Sequence, residues 1–504
     1  MTGPLPRHAE PTSPALGLAV VMVGVVIAAV DTTIVILALP EIERSLHVPL
    51  GSVIWVVIGY LLVLTLLTTQ VGRLGDMFGR VRMYEAGFLV FVVGSLLCGL
   101  AWSELAIIAA RVVQGVGGAL IAANSSAVIA EIFPPERRGQ AFGFTAIGWN
   151  IGAVLGIVLG GIIVTAFSWR WVFLINLPIG LAALAVAVPV LHDRGERRPQ
   201  RLDPLGMATL GAGLFAILWA MIELASAPLS GPIVAAIALG LLLVGAFVWL
   251  ERRQPQPMLD LSLFRVPTLS TSMLASLFQA LGSFAVLFLL LMYLQGARRL
   301  SPLDASLLLV PGYVIGGALS PVMGRLVDRI GPAVPATLGL AVQVVALILY
   351  GQLQLGTPLW VAVVATIVNG IGAASFFPAN NAAVMKVAPP GAYGVASGLL
   401  RTFANVGMIF SFSLAVLIAS RSIPTRVAFA IFVGAHSLRA AEAAVFTHGL
   451  HMAFYASTVL LAVAALFSAA RLIRPLPATA VASPGAPPPA QQGAPATAAP
   501  TLRR

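Results

Sequence analysis

"GRLGDMFG" at residues 72–79 returns as "GRLVDRIG" at residues 324–331, and this repetition decides the fold. Gly, Arg, Leu, Asp and Gly stand at the same places in both copies, which begin 252 residues apart. A second pair of stretches, "QGVGGA" at 114–119 and "NGIGAA" at 369–374, begins 255 residues apart. Two nearly equal offsets in one chain predict that it consists of two related halves.

Long apolar runs surround both copies of the repeated stretch. Of the 504 residues, 59% are hydrophobic and 9% are charged, and the mean hydropathy is +0.98. A soluble protein would carry about 25% charged residues. Runs of about 20 apolar residues cross a bilayer as helices, which satisfy their own backbone hydrogen bonds in lipid. Because the runs lack the alternating polarity of barrel strands, we predict an all-α membrane protein.

Fourteen transmembrane helices are predicted. They lie at about 15–40, 53–71, 83–101, 105–131, 140–165, 171–191, 205–225, 231–250, 268–294, 304–323, 333–352, 358–385, 395–420 and 449–470. Spans 1–6 and 9–14 form the two halves, and spans 7 and 8 are inserted between them. Parallel halves of this kind place a substrate site at their interface near the middle of the bilayer.

The same pattern divides the chain into five parts. They are a disordered cytoplasmic N-terminus (1–14), an N-terminal six-helix bundle (15–191), two inserted helices with their linkers (192–267), a C-terminal six-helix bundle (268–474) and a disordered cytoplasmic tail (475–504). The tail is rich in Pro and Ala and too poor in large apolar residues to pack. The outer stretch 421–448 is either a helix along the membrane surface or a plain loop.

Basic residues orient the spans. With both termini in the cytoplasm, twenty Lys and Arg residues lie on the inner side and seven on the outer side. This asymmetry is the usual one for membrane proteins, so the net charge of +11 does not indicate nucleic-acid binding. Cys98 is the only cysteine, which excludes a disulfide framework. No motif of an enzyme, a metal site or a nucleotide site is present, and we expect no catalytic residues, metal or cofactor.

Several motifs resemble those of the major facilitator superfamily. "GRLGDMFGRVR" (72–82) is similar to its loop-2/3 signature, and "RVVQGVGGA" (111–119) to its fourth-helix motif. "VDTTIVILALP" (30–40) and "SWRWVFLINLPIG" (168–180) resemble motifs of its fourteen-helix drug:proton antiporter family. The resemblance runs from about residue 15 to residue 470.

This resemblance implies two bundles that rock about a central cavity in a bacterial inner membrane. The implied activity is the export of lipophilic, cationic or neutral small molecules in exchange for protons, by a protein that works as a monomer. One alternative is a carrier of the same fold for a lipid, siderophore, amino acid or other metabolite, without obligatory proton exchange. The other is a membrane-embedded enzyme or sensor, which no catalytic constellation supports.

Asp31 is a carboxylate inside the first apolar span. A charge near the middle of a bilayer costs a few kcal/mol and is usually functional. Asp31 lies roughly 13 Å from the outer end of its span, and Arg111 lies roughly 9 Å from the outer end of span 4, at 1.5 Å per residue. We predict that they form an ion pair that opens when Asp31 binds a proton. In the family, the matching arginine is linked to proton exchange. The alternative is an acid with a purely structural role.

The repeated stretch predicts a conformational latch on the inner side. Opposite charges there can form salt bridges that hold one conformation and open on switching, whereas the alternative is solvated loop charge. The predicted latch residues are Gly72, Arg73, Asp76, Gly79, Arg80 and Arg82 in the first copy, and Gly324, Arg325, Asp328 and Arg329 in the second.

Glycines recur every four residues in the fifth span, which lets a neighbouring helix approach closely. They are Gly148, Gly152, Gly156 and Gly160, followed by Gly161. The family's antiporter motif usually has proline after the third of them, and this chain has Ile157, so the helix keeps a backbone hydrogen bond. The glycines are either part of an exchange motif or plain packing residues.

A cavity for lipophilic molecules needs aromatic surface and a few polar groups. The predicted cavity residues are Trp55, Tyr60, Gln114, Trp149, Asn150, Tyr293, Phe376 and Asn380. For each of them, core packing or lipid contact is the alternative. Glu223 is expected to be a solvated acid near the outer membrane surface. Arg401 either faces the cavity or pairs with an acid at the inner side such as Glu131, and the sequence does not decide between these.

Overall fold

The structure, a computed structural model, describes residues 14–48, 50–133, 135–193, 202–254, 257–259, 261–387, 393–422 and 440–473. Both segments predicted to be disordered, apart from their boundary residue Pro14, lie outside these ranges. So does most of the outer stretch predicted at 421–448. Of that stretch, residues from Ala440 onwards belong to the last helix.

Fourteen apolar helices cross the described part of the chain. Their bounds are α1 Pro14–Leu46, α2 Trp55–Phe78, α3 Arg80–Gly99, α4 Glu104–Ile132, α5 Pro135–Ala166, α6 Asn176–Val190, α7 Pro204–Ser226, α8 Gly231–Glu251, α9 Pro267–Ser283, α10 Pro302–Ile330, α11 Ala333–Tyr350, α12 Leu359–Val387, α13 Tyr393–Ser422 and α14 Ala440–Ile473. Thirteen spans are long and apolar enough to cross a membrane, of which the one at α6 runs over Trp171–Val190 and the one at α9 over Pro267–Ala297 when adjoining short helices are included. The helix α2 gives the fourteenth when its 52° bend is allowed. The predicted all-α membrane fold is confirmed.

The backbone repeats as the sequence does. Gly79 (φ 112°) and Gly331 (φ 83°) both have positive φ, and they follow α2 and α10 at an offset of 252 residues. His47 (φ 54°) and Arg299 (φ 55°) are separated by the same offset. In the described part of the chain no other residue has positive φ. Since this conformation is uncommon, its recurrence in register shows that the two halves are built alike.

Two seams join the halves: α5 packs against α10, and α2 packs against α13. The inserted helix α7 pairs with α8 and also lies against α2 and α13, so it covers the second seam from outside. Glu223, near the end of α7, is half-buried. We call the side of the molecule on which Gly79 lies the inner side, because the charge asymmetry of the sequence predicts that it faces the cytoplasm.

The outer part of α1 is closed in on every face. All twelve residues from Ala29 to Pro40 are buried, whereas Leu16 and Ala19 near the inner end are exposed. A helix whose whole circumference is buried has protein on all sides. The outer part of α1 is therefore enclosed by protein, with α5, α4 and α6 among its neighbours.

The glycines of α5 bring that helix onto α1. Added Cβ atoms on Gly148, Gly152, Gly156 and Gly160 would each meet atoms of α1, and one on Gly161 would meet α10. A Cβ on Gly152 would lie 2.7 Å from the Val26 carbonyl oxygen and 2.7 Å from the Ala29 Cβ. The spacing thus serves helix packing, and α5 runs unbroken through the buried Ile157.

Gly152→Ala is expected to destabilise the protein by about 1–3 kcal/mol, because the new methyl group overlaps α1 atoms that cannot rotate away. The readout is the midpoint of thermal unfolding in detergent. Gly245→Ala in α8 is the matched control, since nothing lies within 4 Å of its added Cβ. An equal midpoint for both variants would contradict the close approach of α1 and α5.

Candidate functional site

A buried polar cluster lies in the outer half of the N-terminal bundle. Asp31 of α1 and Arg111 of α4 are 0% and 1% exposed, and Arg111 Nη1 donates to Asp31 Oδ2 at 2.8 Å. The predicted ion pair is thus present in the structure. An ion pair so fully removed from solvent requires that the remaining polar atoms also find partners.

Two amides complete the surroundings of the Asp31 carboxylate. Gln114 Nε2 donates to Asp31 Oδ1 at 2.8 Å, and Asn176 Nδ2 donates to the same oxygen at 3.5 Å. Gln114 Nε2 also donates to Ser95 Oγ at 2.7 Å. The carboxylate is therefore bound by groups from α3, α4 and α6 acting on α1, directly or through Gln114.

The Arg111 guanidinium is held by further contacts. Its Nε donates to the carbonyl oxygen of Val56 in α2 at 2.7 Å, and its Nη1 also donates to Gln114 Oε1 at 2.5 Å. The guanidinium carbon lies 4.2 Å from the centroid of the Tyr60 ring and 5.7 Å from that of Phe173. Aromatic faces stabilise a desolvated cation. One arginine thus links α1, α2 and α4.

This cluster includes two residues predicted for the cavity and two that sequence reasoning missed. Gln114 and Tyr60, expected on the cavity surface, are 0% and 1% exposed and belong to the ion-pair cluster. Ser95 and Asn176 were not predicted. Asn176 is an amide inside the "SWRWVFLINLPIG" motif (168–180) and, as a polar group in an apolar span, carried a usable signal.

Four other predicted cavity residues pack elsewhere. Trp55 packs against Phe215 of α7 in a tilted arrangement, with ring centroids 5.1 Å apart. The buried Tyr293 donates from its hydroxyl to the Gln354 carbonyl oxygen at 2.7 Å, beyond the end of α11. These two aromatic side chains therefore fix the periphery and the outer end of the bundle.

Phe376 and Asn380 lie inside the C-terminal bundle. Phe376 is fully buried where α12 packs on α11, next to Gly339. Asn380 donates to the Ser272 carbonyl oxygen at 3.1 Å and accepts from Arg471 at 2.9 Å. Both residues hold the bundle together and are removed from the seam between the halves.

Trp149 of α5 is exposed on a face of the helix that is turned away from lipid. It is 43% exposed on the side of α5 opposite Ile151, Leu155 and Ile162, whose exposed side chains form the lipid face. Asn150 beside it packs towards Gly317 of α10 at the seam. Farther out on the Trp149 face the side chains are buried. The space next to Trp149 is thus closed on the outer side.

Arg401 lies on a face of α13 on which side-chain exposure also decreases towards the outer side. It is exposed, whereas Asn405 and Phe412 on the same face nearer the outer side are buried. From these two exposed faces we infer one space between the halves, lined by Trp149 and Arg401 and open towards the inner side, which we call the central cavity. Arg401 makes no ion pair with Glu131 or any other acid of the described chain.

The first copy of the repeated stretch forms salt bridges at the inner side. Arg80 Nε of α3 donates to Asp76 Oδ1 of α2 at 2.9 Å, and Arg80 Nη1 lies 3.4 Å from Glu131 Oε1 of α4. Arg73 donates to the Pro257 carbonyl oxygen in the linker that follows the inserted helices. These contacts tie the inner ends of three helices together and attach the inserted pair.

Asp193 is a further member of this inner network that sequence reasoning missed. Its Oδ1 accepts from the Val81 backbone N–H at 2.8 Å, and its Oδ2 lies 3.8 Å from Arg82 Nε. It sits against Gly79, whose positive φ makes the turn. A lone acid just after a span, on a side rich in arginine, was the available signal.

The second copy differs from the first. Arg325, Asp328 and Arg329 are exposed at the end of α10, and within the described ranges no ion pair joins them to one another or to another residue. Gly331 reproduces the turn of Gly79. The repeat therefore keeps the backbone here but not the salt bridges.

Arg111→Leu is expected to lower the stability of the protein by about 3–5 kcal/mol, because it leaves Asp31 buried without its counter-charge. Asp31→Asn combined with Arg111→Leu should recover most of that loss, measured as the thermal midpoint in detergent. Arg44→Leu is the matched control, since the Arg44–Glu41 pair is solvent-exposed and contributes little. Equal midpoints for the single and double variants would contradict an ionised pair.

Comparison with known proteins places these features in a family. A sequence model of the Major Facilitator Superfamily matches residues 21–272 and again 272–502. The tetracenomycin C resistance and export protein of Streptomyces glaucescens is 32% identical over 412 residues, 80% of this chain and 76% of that protein. Multidrug resistance protein Stp of Mycobacterium tuberculosis is 31% identical over 399 residues, 78% and 73%. Riboflavin transporter RibZ of Clostridioides difficile is 29% identical over 394 residues, 77% and 84%.

Solved structures agree in fold. A bacterial homologue of the human lysosomal transporter Spinster, inward-facing and unoccupied, has a TM-score of 0.64 at 16% identity, over 92% of this chain and 97% of that one. The xylose transporter XylE of E. coli, partially occluded and inward-open, has a TM-score of 0.59 at 15% identity, over 90% and 96%. The chain is a transporter and not an enzyme, and it belongs to the major facilitator superfamily, in the fourteen-helix drug:proton antiporter family.

Proposed function

We propose that this protein exports lipophilic small molecules from a bacterial cell in exchange for protons. The observation that carries the proposal is the fully buried Asp31–Arg111 ion pair in the outer half of the N-terminal bundle. The exporters named among its relatives support the direction of transport. In this proposal the protein acts as a monomer in the inner membrane, with both termini in the cytoplasm.

Asp31 is the proton carrier in the proposed cycle. Protonation would neutralise the carboxylate while Arg111 stays charged, so their attraction and the hydrogen bond between them would weaken. Arg111 would keep its bonds to Val56 and Gln114 and therefore remain with α2 and α4. The link that weakens most is the ion pair between α4 and α1.

Opening of that link bears on access to the cavity. The outer part of α1 is buried on all faces, so exposing the outer side requires α1 to part from some of its neighbours. A proton on Asp31 would lower the cost of that rearrangement, and proton release would restore the closed arrangement. Ile157 leaves α5 unbroken, and its glycines keep α5 on α1 throughout.

Asp31→Asn is expected to abolish proton-driven export, because its side chain can neither take up nor release a proton. The measurement is efflux of Nile red, a neutral lipophilic dye, from preloaded energised cells, with and without a protonophore. The wild type should export the dye only without the protonophore.

Glu41→Ala serves as the control in this assay, since Glu41 forms a solvent-exposed pair at the outer end of the same helix. Its efflux should equal that of the wild type. Full protonophore-sensitive efflux by Asp31→Asn would refute the role of Asp31.

The inner network of Asp76, Arg80 and Glu131 is proposed as the conformational latch. It joins the inner ends of α2, α3 and α4, and in the proposed cycle these salt bridges hold one conformation and open on switching. Loop charge without this role would tolerate the loss of one member.

Asp76→Ala is accordingly expected to reduce dye efflux at least tenfold while the amount of protein in the membrane stays the same. Efflux and immunoblots of isolated membranes are the two measurements. Glu41→Ala is again the control, because it deletes an acidic side chain at the opposite, outer end of the bundle. An efflux rate in Asp76→Ala equal to that of the wild type would exclude the latch.

A carrier for a more polar metabolite is the second candidate function. The similarity to a protein named as a riboflavin transporter favours it. The dye assay separates the two candidates, because such a carrier would leave Nile red inside wild-type cells.

A further inference from the structure

Arg401 has an unusual position for a charged residue in a membrane helix. It lies eight residues from the start of α13, about 12 Å along the helix. Wherever burial is described between Ala396 and Ile418, every other residue of this helix is buried or half-buried. The helix therefore has no lipid face at this level, and the exposure of Arg401 is to the central cavity.

The charge of Arg401 is not compensated by the protein. In the part of the chain that the structure describes, it makes no hydrogen bond and no ion pair, and no acidic group lies near it. Among the described acids on helices packed against α13, Asp76 of α2 is paired with Arg80, and Glu223 lies near the other end of α7. Asp31 and Glu131, on helices farther away, are paired with Arg111 and Arg80. A lone cation in an enclosed site surrounded by low-dielectric protein sets the sign of the local field.

A role in stabilising the bundle through hydrogen bonds does not fit this arginine. Arg471, a buried arginine of the same bundle, is hydrogen-bonded to Ser272, Asn380 and Ser468. Arg401 has no such partners, so it adds no hydrogen bond to the packing of α13. An ionisable group retained inside the membrane without a partner is by default a candidate for function.

We propose that Arg401 is a specificity-determining residue, which selects substrates that carry an anionic group or strong hydrogen-bond acceptor, such as a carboxylate, phenolate or sulfonate. A guanidinium offers five N–H donors in a planar fork that matches such oxygens. Trp149, exposed in the same cavity from the other half, provides an aromatic surface for the body of the molecule. The cargo is thus an aromatic acid or neutral acceptor, and lipophilic cations are disfavoured.

This inference rests on the proposed export function and narrows its substrates. Of the cationic and neutral molecules expected from the sequence, it retains the neutral ones and adds anions. The group that selects substrates by charge, Arg401, then lies in the C-terminal bundle. The proposed proton carrier, Asp31, lies in the N-terminal bundle.

The test uses everted membrane vesicles, whose outer surface is the inner side of the protein. Three fluorescent dyes are compared for respiration-driven uptake: anionic 1-anilinonaphthalene-8-sulfonate, neutral Nile red and cationic ethidium. Arg401→Gln should lower the ratio of anionic to neutral dye uptake at least tenfold. Arg401→Lys, which keeps the positive charge but loses the planar fork, should lower the ratio less than Arg401→Gln does.

Lys386→Gln is the matched control, since it removes one exposed positive charge at the inner end of α12 outside the cavity. Its dye ratio should not change. An unchanged ratio in Arg401→Gln, or an equal loss of all three dyes, would overturn the assignment.

Placement in the cavity is tested separately by Arg401→Cys. The only native cysteine, Cys98, is fully buried, so the native chain provides the unlabelled background. A membrane-impermeant methanethiosulfonate should label Arg401→Cys in everted vesicles and leave the native chain unlabelled. A variant that is folded by size-exclusion chromatography but resists labelling would overturn the placement.

The two proposals fail in different ways. Retained proton-dependent uptake of these dyes by Asp31→Asn would refute the coupling role of Asp31. The ratio of anionic to neutral dye uptake would still test the role of Arg401. An unchanged ratio together with loss of uptake in Asp31→Asn would refute only the role of Arg401.

Discussion

The Asp31–Arg111 ion pair must be shielded from water and lipid inside the bilayer, and much of the packing of the N-terminal bundle depends on this requirement. An ionised Asp31 is tolerable there only with Arg111 beside it and with its second oxygen bonded by Gln114 and Asn176. The guanidinium in turn needs the Tyr60 ring. These contacts draw α1, α2, α4 and α6 to a common centre, and the glycines of α5 let it close the remaining side of α1. Packing and the proposed proton exchange therefore depend on the same atoms.

The fold and this pair could be predicted because both depend on length along the chain. Apolar runs give the spans, and counting residues from their ends brings Asp31 and Arg111 to similar depth. The cavity residues depend on which face a side chain occupies, and that is not readable where a span is apolar all round. Tyr60 and Tyr293, both aromatic and near helix ends, thus proved to be buried partners of Arg111 and Gln354.

The two halves kept one backbone and diverged in chemistry. An offset of 252 from Asp31 leads to Ser283, at the end of α9. Ser283 and Gln279 both hydrogen-bond to Gln343, and this neutral cluster stands where the other half has an ion pair. The salt bridges at the inner side show the same asymmetry. In the N-terminal bundle these charged side chains form ion pairs with one another. In the C-terminal bundle Arg401 is exposed to the cavity.

The neutral Ser283 position has an electrical consequence. A cycle that carries a proton on Asp31, with no second carrier at the equivalent site, moves one elementary charge into the cell. Across an inside-negative membrane this is worth about 2.3 kcal/mol per 100 mV. A neutral cargo leaves that driving force unchanged, whereas a monoanion that leaves the cell adds a second charge in the same electrical sense. The membrane potential, and not only the pH difference, would then drive accumulation of the cargo outside.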